Sequence, residues 1–165
     1  MLRWHKVNAK AADNQGTTGL QAIIVYCRLK SYTHMANTFL RQTRTFQASP
    51  KAVYEALMDS RMHSQFTGAP AKISTKVGGK FTAYGGELEG ENLELKPNKK
   101  IVQSWRSKSW PAGHYSRVTY SLANAGKGKT RLTFTHSNIH PSDYAGVKKG
   151  WVSFYWEPLK KMLEK

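Results

Sequence analysis

The chain has 165 residues with 26 Lys/Arg against 10 Asp/Glu, a formal net charge of +16 at pH 7. This length suits one domain with a tail rather than two full domains, and the single cysteine, Cys27, excludes an internal disulfide or a cysteine-rich zinc site. The longest apolar run, Ala22 to Cys27, has six residues against the ~20 that span a bilayer, so a soluble, cytoplasmic protein is expected.

Residues 1–34 hold five Lys/Arg, one acid (Asp13) and the patch NQGTTG, with no sustained periodicity. They read as a basic N-terminal extension, either a disordered tail or an acid-poor organellar leader. The folded domain is expected over 35–165. In it, TFLRQTRTFQAS reads as a strand, and Ser49-Pro50 starts a short helix, with Ser49 as cap and Pro50 in the first position. Gly85-Gly86 predicts a tight hairpin turn. The leucines change parity between Leu88 and the pair Leu93/Leu95, which predicts a bulge near Gly90.

Further turns are expected at LKPNKKI, SWPAG and ANAGKGK. Between them, Val118, Tyr120 and Leu122 alternate with Arg117, Thr119 and Ser121, and Leu132 and Phe134 alternate with Arg131, Thr133 and Thr135. That period of two describes an antiparallel sheet with one wet face. From about Ser142 the period becomes helical: Trp151, Tyr155, Leu159 and Met162 or Leu163 form one stripe, and Pro158 is expected to bend the helix over what it covers. The predicted fold is α+β: a curved antiparallel sheet of about six or seven strands wrapped around a long C-terminal helix.

A charge of +16 raises nucleic-acid binding. The distribution speaks against it, because the basic residues stand in scattered pairs such as Lys99-Lys100 and Lys160-Lys161, with no long stripe and no nucleic-acid module. The same excess steers the chain toward an acidic protein partner. Catalytic patterns fail one by one. His136 and His140 leave a strand, which puts them too far apart for a shared metal. His114 has no nucleophile motif beside it. Glu87, Glu89 and Glu91 line one ribbon and do not flank a substrate. GKGKT precedes a strand where a phosphate loop needs a helix. No enzyme activity, metal or cofactor is expected.

The stretch GGKFTAYGGELEGENLELKPNKKIVQSWRSKSWPAGHYSRVTYSL, followed by KGWVSFYW, resembles the C-terminal domain of the activator of heat-shock protein 90 ATPase, within the START-like (SRPBCC) helix-grip superfamily. The resemblance runs from about Thr43 to Leu163 and rests on Gly78-Gly79, LELKPNKKIVQSWR, SWPAGH and Gly150-Trp151. It implies a helix-grip fold, binding to the heat-shock protein 90 chaperone, and stimulation of that chaperone's ATPase. It also implies space between sheet and helix for a small hydrophobic ligand, the alternative function. Candidates for the wall of that cleft are Phe81, Trp105, Tyr120, Phe134, Trp151, Tyr155 and Leu159. Candidates for partner binding are Lys148, Lys149, Phe154, Trp156 and Lys160, aromatic anchors within a basic rim.

Overall fold

A computed structural model describes residues 38–164; the extension expected at 1–34 lies outside the described residues. Strand β1 (Leu40–Phe46) leads to two short helices, α1 (Pro50–Met58) and α2 (Ser60–Thr67). The strands β2 (Lys72–Ile73), β3 (Lys80–Ala83), β4 (Leu88–Lys96), β5 (Lys100–Ser107), β6 (Ser116–Asn124) and β7 (Thr130–Ser137) follow. The C-terminal helix then runs as α3 (Tyr144–Gly150), a π-helical stretch (Trp151–Trp156) and α4 (Glu157–Leu163). The strands form one seven-stranded antiparallel sheet, in the order β1-β7-β6-β5-β4-β3-β2. This is the α+β architecture expected from the alternating strands and the helical tail.

Local chemistry explains the element ends. The Ser49 side chain accepts the Ala52 N–H at 3.2 Å, and Pro50 opens α1. Helix α2 was not expected. Asp59 creates it: extended backbone there stops α1, and its carboxylate accepts the Met62 N–H at 2.8 Å to cap a second helix. Only His63 and Phe66 of α2 are buried, too few to leave a periodic signal.

Two expected turns shift. Ala83 pairs with Leu88, so the β3–β4 connection is Tyr84–Glu87 rather than two glycines, and Tyr84, Gly85 and Gly86 all take positive φ (53°, 66° and 97°). The bulge lies between Asn92 and Glu94, not near Gly90. Gly90 serves a closer approach: a Cβ there would sit 2.0 Å from the Ser104 carbonyl oxygen.

Pro158 is accommodated differently from a simple bend. It has no N–H for the Phe154 carbonyl, and the helix widens just before it: the Glu157 N–H bonds to the Val152 carbonyl, five residues back. The Tyr84 hydroxyl donates to the Phe154 carbonyl instead, at 3.0 Å. The helix packs its buried side, including Trp151, Tyr155, Trp156 and Leu159, on the inner face of the sheet, against Phe134, Tyr120 and Leu132 among others.

Candidate functional site: the sheet–helix interior and the cleft at its mouth

The alternation of β6 and β7 turns Ser116 and His136 toward the helix, in phase with Val118 and Phe134. The Trp151 indole N–H donates to His136 Nδ1 at 3.0 Å. His136 Nε2 lies 2.7 Å from Ser116 Oγ, whose hydroxyl donates to the Trp105 carbonyl at 2.7 Å. An indole nitrogen only donates, so Nδ1 carries the lone pair and Nε2–H donates to Ser116. Burial pushes the His136 pKa down to about 3, so the ring stays neutral in the folded protein at physiological pH. A neutral imidazole with both nitrogens engaged ties helix to sheet and has no free nitrogen for acid–base work. His136 is thus an inward strut rather than a metal ligand, and its place in the Leu132–Phe134 alternation is the sequence signal for it.

All seven residues expected to wall a ligand space are buried: Phe81, Trp105, Tyr120, Phe134, Trp151, Tyr155 and Leu159. They largely fill the space they were expected to enclose. Trp151 stacks on Trp156 at 5.4 Å and lies 4.3 Å from Phe134 and 4.4 Å from Tyr155, centroid to centroid. The void left among Phe81, Gln103, Trp105, Tyr120 and Tyr155 is about 10 Å³, against the several hundred Å³ of a ligand pocket. Among the described residues, His63 Nε2 and Trp105 Nε1 are buried without a hydrogen-bond partner, and both side chains line this void. Burial also holds the Tyr120 and Tyr155 hydroxyls protonated, with pKa values well above the usual phenol range.

Trp156, expected beside Phe154 on a partner-facing surface, is only 2% exposed. Its indole N–H donates to Gln42 Oε1 of β1, and the Gln42 amide donates to the Lys148 carbonyl at 3.2 Å. The π turn rotates Trp156 onto Phe134 and Tyr120, which a uniform helical wheel does not foresee. Phe154 does face out, 60% exposed. Lys148, Lys149 and Lys160 are exposed, and Lys160 lies 3.8 Å from Glu164.

Phe154 belongs to an open cleft of about 570 Å³ at the mouth of the sheet–helix interior. Tyr84, Leu88 and Trp105 line one side, and Val147, Gly150, Trp151 and Tyr155 the other. The charged residues lining the cleft are Glu87 and Asp143, so the basic rim expected around Phe154 is not part of it. Burial pushes the Tyr84 hydroxyl up to about 12.

The signature residues have structural duties. Asn92 is fully buried; its amide donates to the carbonyls of Ser74 and Lys76 at 2.6 and 3.1 Å and its Oδ1 accepts from Gln103 at 2.8 Å. It holds the loop containing Gly78-Gly79, where Gly78 has φ +75° and a Cβ on Gly79 would meet Ser74 Oγ at 2.0 Å. In SWPAGH, the buried Trp110 packs 5.1 Å from Trp105 and donates its indole N–H to Asp143. The neighbouring His114 and His140 lie ring to ring at 5.2 Å. Among the described residues no group of three or more metal-ligating side chains forms, and no helix is long and apolar enough to cross a membrane.

A seven-stranded antiparallel sheet closed over by a C-terminal helix makes this a helix-grip protein. The chain belongs to the Activator of Hsp90 ATPase homolog 1-like protein family, whose family model matches residues 47–164. It is 34% identical over 117 residues to human Activator of 90 kDa heat shock protein ATPase homolog 1, covering 71% of this chain and 34% of that protein. It is 24% identical over 123 residues to the Saccharomyces cerevisiae Hsp90 co-chaperone AHA1, covering 70% of this chain and 35% of that one. The chain therefore spans about a third of these relatives. A solved structure of an HSP90 activator from Plasmodium falciparum superposes with a TM-score of 0.72 at 28% identity, over 76% of this chain and 96% of that chain.

Proposed function

We propose that this chain is a co-chaperone module that binds the heat-shock protein 90 chaperone and modulates its ATPase. The observation that carries this is the match across 96% of the solved HSP90 activator from Plasmodium falciparum. An activator needs no catalytic residues of its own; it acts by binding one chaperone conformation more tightly than another. The largely filled interior supports a role played at the surface. Lys148, Lys149 and Lys160 are the candidate cations on the helix side, and Phe154 is a candidate aromatic anchor. Steady-state ATPase rates of the purified chaperone, with and without the full chain at low and moderate salt, test the proposal. A salt-sensitive rise is expected, and no change together with no detectable binding overturns it. Reversing the charges at Lys148 and Lys149 is expected to weaken binding without unfolding the domain.

A second reading rests on the open cleft, whose volume of about 570 Å³ falls within the range of small-molecule sites. Its apolar walls suit a small hydrophobic ligand. Because Trp105 and Trp151 line it, an apolar fluorescent probe is expected to quench tryptophan emission saturably, and Phe154→Ala to weaken that binding. Unsaturable quenching removes this reading.

A further inference from the structure

The sheet has a second face, turned away from the C-terminal helix. Strand register puts Thr43 of β1, Thr133 of β7 and Ser121 of β6 in one row, and Arg41, Thr135 and Thr119 in the next. Arg131 stands between Thr45 and Ala123 at one end of this field, and Arg117 opposite Ser137 at the other. These positions alternate with the buried inner residues of the same strands, so their side chains project outward. At a rise of ~3.4 Å per residue and ~4.8 Å between strands, the field measures about 20 by 10 Å.

Its composition is one-sided. Arg41, Arg117 and Arg131 are exposed, and no ion pair among the described residues involves any of them. The described carboxylates nearest on this face lie two strands away on β4, where Glu94 pairs with Lys96 and Lys100 and Glu89 with Arg106; the others lie on the turn before β4, on α1 or at its end, or in the C-terminal helical segment. The floor between the arginines consists of short Thr and Ser side chains, which lose little rotamer freedom when covered. Arginine presents a planar fork that meets carboxylates two bonds at a time.

We propose that this outer face of β1, β7 and β6 docks a carboxylate-rich protein surface; resting on the function proposed above, that surface is the chaperone's. Three cations spread over about 20 Å match scattered carboxylates better than a nucleic-acid backbone, which carries a charge every ~1.7 Å of duplex. With Thr and Ser between the arginines, attraction and orientation come from charge, and binding weakens as salt screens it.

The test uses the full chain with Arg41→Gln, Arg117→Gln and Arg131→Gln combined. A control removes the same charge at exposed Lys72, Lys76 and Lys127, also as Gln. Binding to the purified chaperone and to poly-L-glutamate is titrated at low ionic strength, with thermal melts to confirm folding. A loss of about tenfold or more for the arginine variant, against less than about threefold for the control, is expected on both probes. Unchanged chaperone binding, or equal losses in the two variants, overturns the docking face. If the wild-type chain binds poly-L-glutamate but not the chaperone, the proposed function fails; arginine-dependent capture then still supports an acidic-partner face, and arginine-independent capture overturns it. Tighter arginine-dependent binding to a DNA duplex than to either acidic probe also overturns it.

Discussion

The two faces of the sheet are built from alternate residues of the same strands and do opposite work. On β7, Leu132, Phe134 and His136 turn inward under the helix, while Arg131, Thr133 and Thr135 turn outward. The inner face is specified by shape and by a few buried hydrogen bonds, so each position depends on its neighbours. The outer field of β1, β7 and β6 carries stiff β-branched hydroxyl residues that suit a strand and are half-buried or exposed. Its side chains are therefore free to serve a partner at little cost to the fold.

That contrast is open to attack, beginning where the effect is largest. Trp151→Ala is expected to destabilise the domain by about 3–5 kcal/mol in urea unfolding, because it empties the centre of the aromatic cluster and orphans His136 Nδ1. A negligible loss would show that the inner face is not the tightly packed one.

Acid is the next lever. His136 is held neutral, with a folded pKa of about 3 against 6.5 when unfolded, and His63 is also lowered by burial. The unfolded chain binds these protons first, so the contribution is complete above pH 6.5 and is lost as pH falls from there toward 3. The His136 share of the slope is about 1.4 kcal/mol per pH unit. Chemical unfolding from pH 7 to pH 4 should show this decline, and His136→Gln should make it shallower while lowering stability overall.

Trp156→Phe keeps a ring against Phe134 but removes the donor to Gln42, for an expected loss of about 1–2 kcal/mol. The smallest effects belong outside. Thr133→Ser, Arg131→Gln and Phe154→Ala should each change unfolding free energy by no more than about 0.5 kcal/mol. A large loss from Arg131→Gln would mean that the outer face is structural and would erase the distinction.

Much of the fold was legible because period and turn chemistry are local. The alternation in β6 and β7, the Ser49-Pro50 helix start and the helical stripe from Trp151 to Leu159 each follow from residues a few positions apart. Helix α2 escaped because its signal is a single carboxylate, Asp59, serving both as a stop and as a cap. The candidate site was half legible. The rings expected to face inward are buried, but a list of aromatics does not say whether they enclose space or fill it.

By itself, the sequence determined the α+β class, the antiparallel meander, the gripping helix and the family, since these rest on periodicity and on short motifs such as SWPAGH and Gly150-Trp151. Only the tertiary structure decided that Trp156 is core and Phe154 surface, that the interior holds about 10 Å³ while the mouth opens to about 570 Å³, and that three arginines distant in sequence stand around one field of Thr and Ser on the outer face. The physical reason is common to all three. The Tyr84 hydrogen bond and the Trp156 contacts made at the π turn, the fit of rings from separate strands, and the register between β1, β7 and β6 all join residues far apart in the chain, and no local pattern encodes them.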